Sequence, residues 1–232
     1  MILLGTIVNA AAIVAGTIIG SFLMKVPENI KDTVMKAMAL AVIILGIQMA
    51  LEGERFLIVI GSLALGGAVG EMINLEKKLN QAGAWLERKV GEGHGDIAKA
   101  FVTATLVFTI GALAIVGALD SGLRHDHTVL FTKALLDGFC SLLFTSTLGI
   151  GVVFSAIPVF LYEGATALFA TQINHFLASA LLADLINAIT STGGIMILAI
   201  GLNLLGVTNI RTANLLPGLA AAAAMTAGVY YL

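Results

Sequence analysis

The sequence predicts an all-α polytopic membrane bundle, and three observations carry that reading. The 232 residues are 59% hydrophobic and 11% charged. Mean hydropathy is +1.02. Apolar runs recur at close to the roughly 20 residues a helix needs to cross hydrocarbon. Soluble domains are less apolar and carry about 25% charged residues, so the lipid bilayer is the first expected partner. The net charge of −2 gives no footing for nucleic acid, and the one cysteine, Cys140, leaves neither a disulfide framework nor a cysteine-rich metal site. No cofactor is expected.

Length and Gly/Pro punctuation mark eight spans, at 2–24, 34–51, 56–73, 98–119, 130–149, 151–170, 190–208 and 212–231, within one integral membrane domain, 1–232. The first is apolar from its second residue, with no basic segment ahead of it and no small-residue cleavage site, so it reads as a retained span. Gly16 and Gly20 in it, and Gly66, Gly67 and Gly70 in the third, are the small residues that let membrane helices approach closely, within the bundle or in a homo-oligomer. Between the third and fourth lies a connector, 74–97. Its Leu75, Leu79, Ala82, Trp85 and Leu86 alternate with charged residues in the pattern of an amphipathic helix on the membrane surface. The following Gly91–Asp96 run lacks the Lys and Ser/Thr of a phosphate loop and reads as a linker. The sixth span holds Pro158 and reads as kinked or interrupted.

Between Gln172 and Ile189 the chain is too polar for lipid and too apolar for an exposed loop, which fits a re-entrant or broken helix, or a ninth span. Basic residues settle orientation in the first half. Lys25, Lys31 and Lys36, then Lys77, Lys78, Arg88, Lys89 and Lys99, flank alternate loops, while 52–55 and 120–129 hold one arginine each. The positive-inside rule puts the N-terminus outside and the connector in the cytoplasm. Glu71 is expected at the cytoplasmic end of its span, in water.

Residues Leu45–Leu51 and Ile200–Gly206 share a glycine, an aliphatic and a short amide, each before another small-residue span. That echo makes 2–73 and 130–231 candidate repeat-related halves, inverted in the membrane, although Gly-aliphatic runs also recur by chance. Its amides, Gln48 and Asn203, need hydrogen-bond partners and are candidates to pair with one another or with a solute.

Ionisable side chains inside spans are costly, so they mark either an internal ion pair or a site. Lys133 and Asp137 are four apart on one helix face. They read as a self-neutralising pair, or as a site in which Asp137 binds a cation or proton and Lys133 is its counter-charge. Asp184 and Asn187 form a second candidate. Facing Asp137 across a cavity, with Asn203, Ser191 and Thr192, they would make an oxygen site. Glu163, beyond Pro158, is a third, at a kink that exposes carbonyls or near an interface. His125, Asp126 and His127 read as a solvated loop, since zinc needs three or four convergent ligands. An aspartyl protease of membranes is disfavoured by the absence of a Tyr-Asp pair, and no nucleophile-elbow or HExxH pattern occurs, so no enzyme is expected.

The blocks LLGTIVNAAAIVAGTIIG, VMKAMALAVIILGIQMAL, LFTKALLDGFCSLLFTSTLGIGVVFSAIPVFLYEG and STGGIMILAIGLNLLGVTNIRTANLLPGLAAA resemble the prokaryotic multi-pass membrane family called domain of unknown function 554, of the YdfK/YqgA type. The resemblance spans essentially the whole chain. It implies a protein of the cytoplasmic membrane of a bacterium or archaeon and implies no activity, so no residue role follows from it. The residues themselves favour a secondary transporter or ion-conducting protein for a small solute or cation. Without an ATP-binding loop, it would be driven by an ion gradient or by downhill flux. The alternative is a non-transporting scaffold, sensor or assembly partner.

Overall fold

The structure, a computed structural model, describes residues 1–23, 27–90 and 96–231. Among them every regular element is helical: α1 Leu4–Leu23, α2 Glu28–Ala50, α3 Phe56–Ile73, α4 Leu75–Val90, α5 Ile97–Thr109, α6 Ala112–Leu123, α7 Thr128–Leu148, α8 Ala156–Leu168, α9 Ala170–Phe176, α10 Ser179–Leu204 and α11 Pro217–Tyr231. Short 3-10 segments, Ile150–Ser155 and Thr212–Leu215, lead into α8 and α11. Pro158 lies in the first turn of α8 and Pro217 opens α11. In the first turn of α8 the missing N–H costs little, and the interruption expected in the 151–170 span is the change from 3-10 to α-helix just ahead of Pro158.

Among the described residues seven helical segments are long and apolar enough to cross a membrane, or eight if the pair α5 and α6, bent by 61°, is one broken span. This break lies inside the expected 98–119 span. The chain turns at Ile110–Gly111, where Gly111 has φ 143°, a conformation that favours glycine. Residues 172–192 are helical but broken at 177–178, between α9 and α10. Asn174 and His175 sit on the seven-residue α9, and Ser179, Asp184 and Asn187 open α10, which replaces the expected span 190–208. The second span starts at Glu28, ahead of the expected 34. The Gly91–Gly95 run and Lys25 lie outside the described residues. Asn74, in the left-handed conformation, ends α3, and its carbonyl accepts the Lys78 N–H at the start of α4.

The chain forms two compact units. The first comprises Met1–Lys36, Leu79–Thr109 and Leu113–Ile173, and the second Ala37–Lys78, Ile110–Ala112 and Asn174–Leu232. In the first, α1 buries Gly5, Thr6, Asn9, Ile13, Gly16, Thr17 and Gly20, a stripe at three- and four-residue spacing. The matching face of α7 buries Leu130, Lys133, Ala134, Asp137, Ser141, Phe144, Thr145 and Leu148. A side chain at Gly16 would collide with the Gly138 carbonyl, and one at Gly20 with that of Leu142, so these glycines set the separation of the two backbones. In the second unit Gly46 lies against Gly194 and Leu198, Gly201 against Ala39 and Ile43, and Gly66 against Gly218. The echoed segments thus both serve the contact of α2 with α10.

Contact registers give helix directions. Gly5 meets Leu130, Gly16 meets Gly138 and Gly20 meets Leu142, so α1 and α7 run parallel. Gly46 meets Leu198 and Gly201 meets Ala39, so α2 and α10 run antiparallel. If α1, α2, α3, α7, α8, α10 and α11 each cross once, both directions require α5 and α6 together to cross once as well, which makes eight spans among the described residues.

Replacing Gly16 with Val should overpack the α1–α7 contact and cost about 1–3 kcal/mol or more. The expected result is a lowered thermal midpoint in detergent, while Gly228→Ala, with nothing within 4 Å of the added carbon, leaves it unchanged. Equal midpoints for the two variants would contradict the close-packed reading.

Candidate functional site

The close approach of α1 to α7 brings an amide to two charged side chains. Asn9 lies five residues into α1, and Asp137 lies nine residues into the 21-residue α7. At 1.5 Å per residue that is about 7.5 and 13.5 Å along the helices from their common starting side. Asn9 Nδ2 donates to Asp137 Oδ2 at 3.1 Å and to Glu163 Oε1, on α8, at 2.8 Å. Lys133 Nζ donates to Asp137 Oδ2, lies 3.2 Å from Glu163 Oε1, and donates to the Phe108 carbonyl at 2.8 Å. That carbonyl belongs to the last turn of α5, where the bend at Gly111 takes away the helical donors that would have satisfied it. The broken span thus supplies an acceptor to the site.

All three ionisable side chains are buried, with side-chain exposures of 7% for Lys133, 10% for Asp137 and 0% for Glu163. Lys133 donates to two of these oxygens, ion-pairs with the third and does not reach the surface. With both carboxyls ionised, the cluster sums to one negative charge. Two of its acceptors, Asn9 Oδ1 and Glu163 Oε2, are buried without a hydrogen-bond partner among the described residues. Asn9 was not a sequence candidate. Its only signal was a lone amide in the apolar run GTIVNAAAIVAG.

The other candidates lie elsewhere. Within the second unit Asp184 pairs with Arg55 at 3.3 Å, and both partners are part-exposed. With Asn187 and Ser191 they line a cavity of about 20 Å³ in the second unit, room for about one water. Asn203 is committed to the turn after α10. It donates to the Ile210 carbonyl at 2.7 Å and accepts from Thr208 Oγ1 and Ile210 N at 2.8 and 2.9 Å. Gln48 is exposed on α2, so the two amides do not pair. Glu71 is exposed but not alone in water. It bonds Arg211 and Asn214, while Glu76 accepts from Ala213 N and donates its own N–H to Asn214. In the loop before α7, Asp126 accepts from Thr128 N at 2.9 Å, and the hydrogen bonds of Thr128 hold its carboxyl below the ordinary value. His127 Nδ1 meets Ser121 Oγ at 2.7 Å.

Removing one partner of a buried ion pair typically costs about 3–5 kcal/mol, because the other charge is left uncompensated. Lys133→Met should therefore lower the thermal midpoint sharply, and adding Asp137→Asn should recover part of the loss. A double-mutant cycle in which the two changes simply add would contradict the shared cluster. Asn9→Leu, which strips the neutral donor from both carboxylates, should cost about 1–2 kcal/mol.

Residues 4–227 match the family described as protein of unknown function DUF554. Over 220 residues the chain is 39% identical to the uncharacterized membrane protein YdfK of Bacillus subtilis (strain 168), covering 93% of this chain and 92% of that one. Over 230 residues it is 27% identical to the uncharacterized protein YqgA of Escherichia coli (strain K12), covering 97% and 96%. No solved structure matches. The chain belongs to the DUF554 family of membrane proteins.

Proposed function

We propose that this protein is a secondary transporter or ion-conducting protein of the cytoplasmic membrane, handling a small solute or cation. One observation carries the reading. Asp137 and Glu163 share a single lysine, deep in two apolar helices, which leaves one negative charge to be balanced by something that binds. Unbalanced charge is expensive in hydrocarbon and marks ion and substrate pathways in membrane proteins. The broken span beside it supports the same reading, because irregular backbone is tolerated at membrane depth where it serves an internal site. A second reading, a static scaffold, is favoured by one feature: Lys133 is held by oxygens from α5, α7 and α8 together, as a clamp would be.

Asp137→Asn separates the two. It leaves Lys133 with Glu163 as a neutral pair, so expression and thermal midpoint should hold near wild type. Flux in liposomes, across a panel of cations and amino acids, should fall at least tenfold. Wild-type flux retained in the folded variant would sink the transport role of the pair.

The lysine-rich flanks support an orientation with the N-terminus and the His125 loop outside and α4 in the cytoplasm. With Cys140 replaced by Ala, a cysteine at His125 should react with a membrane-impermeant maleimide on intact cells. One at Lys77 should react only after permeabilisation, and the opposite pattern would invert the orientation.

A further inference from the structure

We infer that the ion bound by this cluster is a proton, and that Glu163 carries it on Oε2. As a coupling ion it rests on the transport reading above; as a bound proton it is testable without it.

The donors already in place argue against a metal ion. Lys133 Nζ occupies the position between Asp137 Oδ2, Glu163 Oε1 and the Phe108 carbonyl where a cation would be ligated. Asn9 turns its N–H, and not its oxygen, toward the same two carboxylate oxygens. Hard cations take about six oxygen ligands, and the oxygens left over here are too few. Two buried acceptors remain, Glu163 Oε2 and Asn9 Oδ1, and neither has a donor. One proton answers both deficits. It brings the cluster from one negative charge to none and turns Oε2 into a donor, as a protonated carboxyl is. The Asn9 amide is already joined to Glu163 through Nδ2 and Oε1, so an O–H on Oε2 supplies the donor that Oδ1 lacks.

Glu163 is the carrier rather than Asp137. It is the fully buried carboxyl with an orphaned oxygen, whereas Asp137 is bonded by Lys133 one turn away on its own helix. The groups around Glu163 are few. From α1 comes Asn9 and no titratable side chain; from α7, Lys133, Asp137 and Cys140; from α5, the Phe108 carbonyl, its Lys99 being exposed. From α6 comes Asp120, paired with Arg124; the segment 150–155 offers nothing titratable; and Tyr162 precedes Glu163 on α8. Loading takes a proton from water to the carboxylate, and unloading returns it.

The test is infrared difference spectroscopy of the full chain in lipid nanodiscs through a pH step, with pyranine-loaded liposomes reporting proton flux under an imposed potential. The wild type should show the carbonyl stretch of a buried, protonated carboxyl, lost in Glu163→Gln and moved in frequency in Glu163→Asp, with flux at least tenfold lower in Glu163→Gln. A band kept in Glu163→Gln or unmoved in Glu163→Asp overturns the assignment. So does a thermal midpoint raised by sodium or potassium and indifferent to pH. A band that behaves as expected in a wild type without flux leaves the proton on Glu163 and removes the transport reading; flux without any band does the reverse. Should Glu163→Gln not fold, Glu163→Asp decides. Its band should move from the wild-type frequency, and an unmoved band overturns the proposal.

Discussion

Three oxygens converge on one ammonium, and much of the first unit is arranged around that meeting. Lys133 draws Asp137 from its own helix, Glu163 from α8 and the Phe108 carbonyl from the end of α5. Each oxygen alone is a liability in hydrocarbon: a carboxylate is costly to bury, and a helix-end carbonyl has lost its helical donor. Gathered on one lysine they satisfy one another, and the amide of Asn9 adds a second donor to both carboxylates. The glycines of α1 make this possible. With side chains at Gly16 and Gly20 the two helices would stand farther apart, and Asn9 would not reach Asp137.

Close packing through glycine recurs in the second unit, without a charged centre. There Gly46, Gly194 and Gly201 join α2 to α10, and Gly66 and Gly70 join α3 to the start of α11. The ionic groups of that unit lie where helices end: Arg55 with Asp184, and Glu71 with Arg211. Exposed pairs of that kind are worth little on their own. Arg55 and Asp184 join the start of α3 to α10, while Glu71 and Arg211, together with Glu76 and Asn214, hold the 3-10 segment before α11 against the junction of α3 and α4. The two units therefore handle polarity differently, one at depth and one at the rims.

How far the site could be read from sequence follows from how each residue signals itself. Lys133 and Asp137 were legible because ionisable residues are rare in an apolar run and their i,i+4 spacing has one geometric meaning. Glu163 was legible as a rare carboxylate, and Pro158 marked an irregular span, which takes the form of a 3-10 segment leading into α8. Asn9 was overlooked because an amide is neutral and the glycines beside it drew the packing argument to themselves. The break at Gly111 had no polar residue to announce it; a positive φ in an apolar run appears only in the backbone. Conversely, the polar stretch 172–192 looked like membrane-depth irregularity because composition carries no depth. Its aspartate and asparagine open a regular helix and line a small cavity with Arg55.

Whether the cluster moves charge or merely holds helices is the central question, and one electrical measurement addresses it. Wild-type protein, reconstituted at known density and adsorbed on a solid-supported membrane, is given a step in external pH at constant ionic strength. An ion-carrying cluster predicts a current that scales with protein density and with the size of the step, and that is absent from protein-free vesicles. Folded protein at the same density that gives no current above protein-free vesicles, at any pH, would contradict the account and leave Lys133, Asp137 and Glu163 as a clamp.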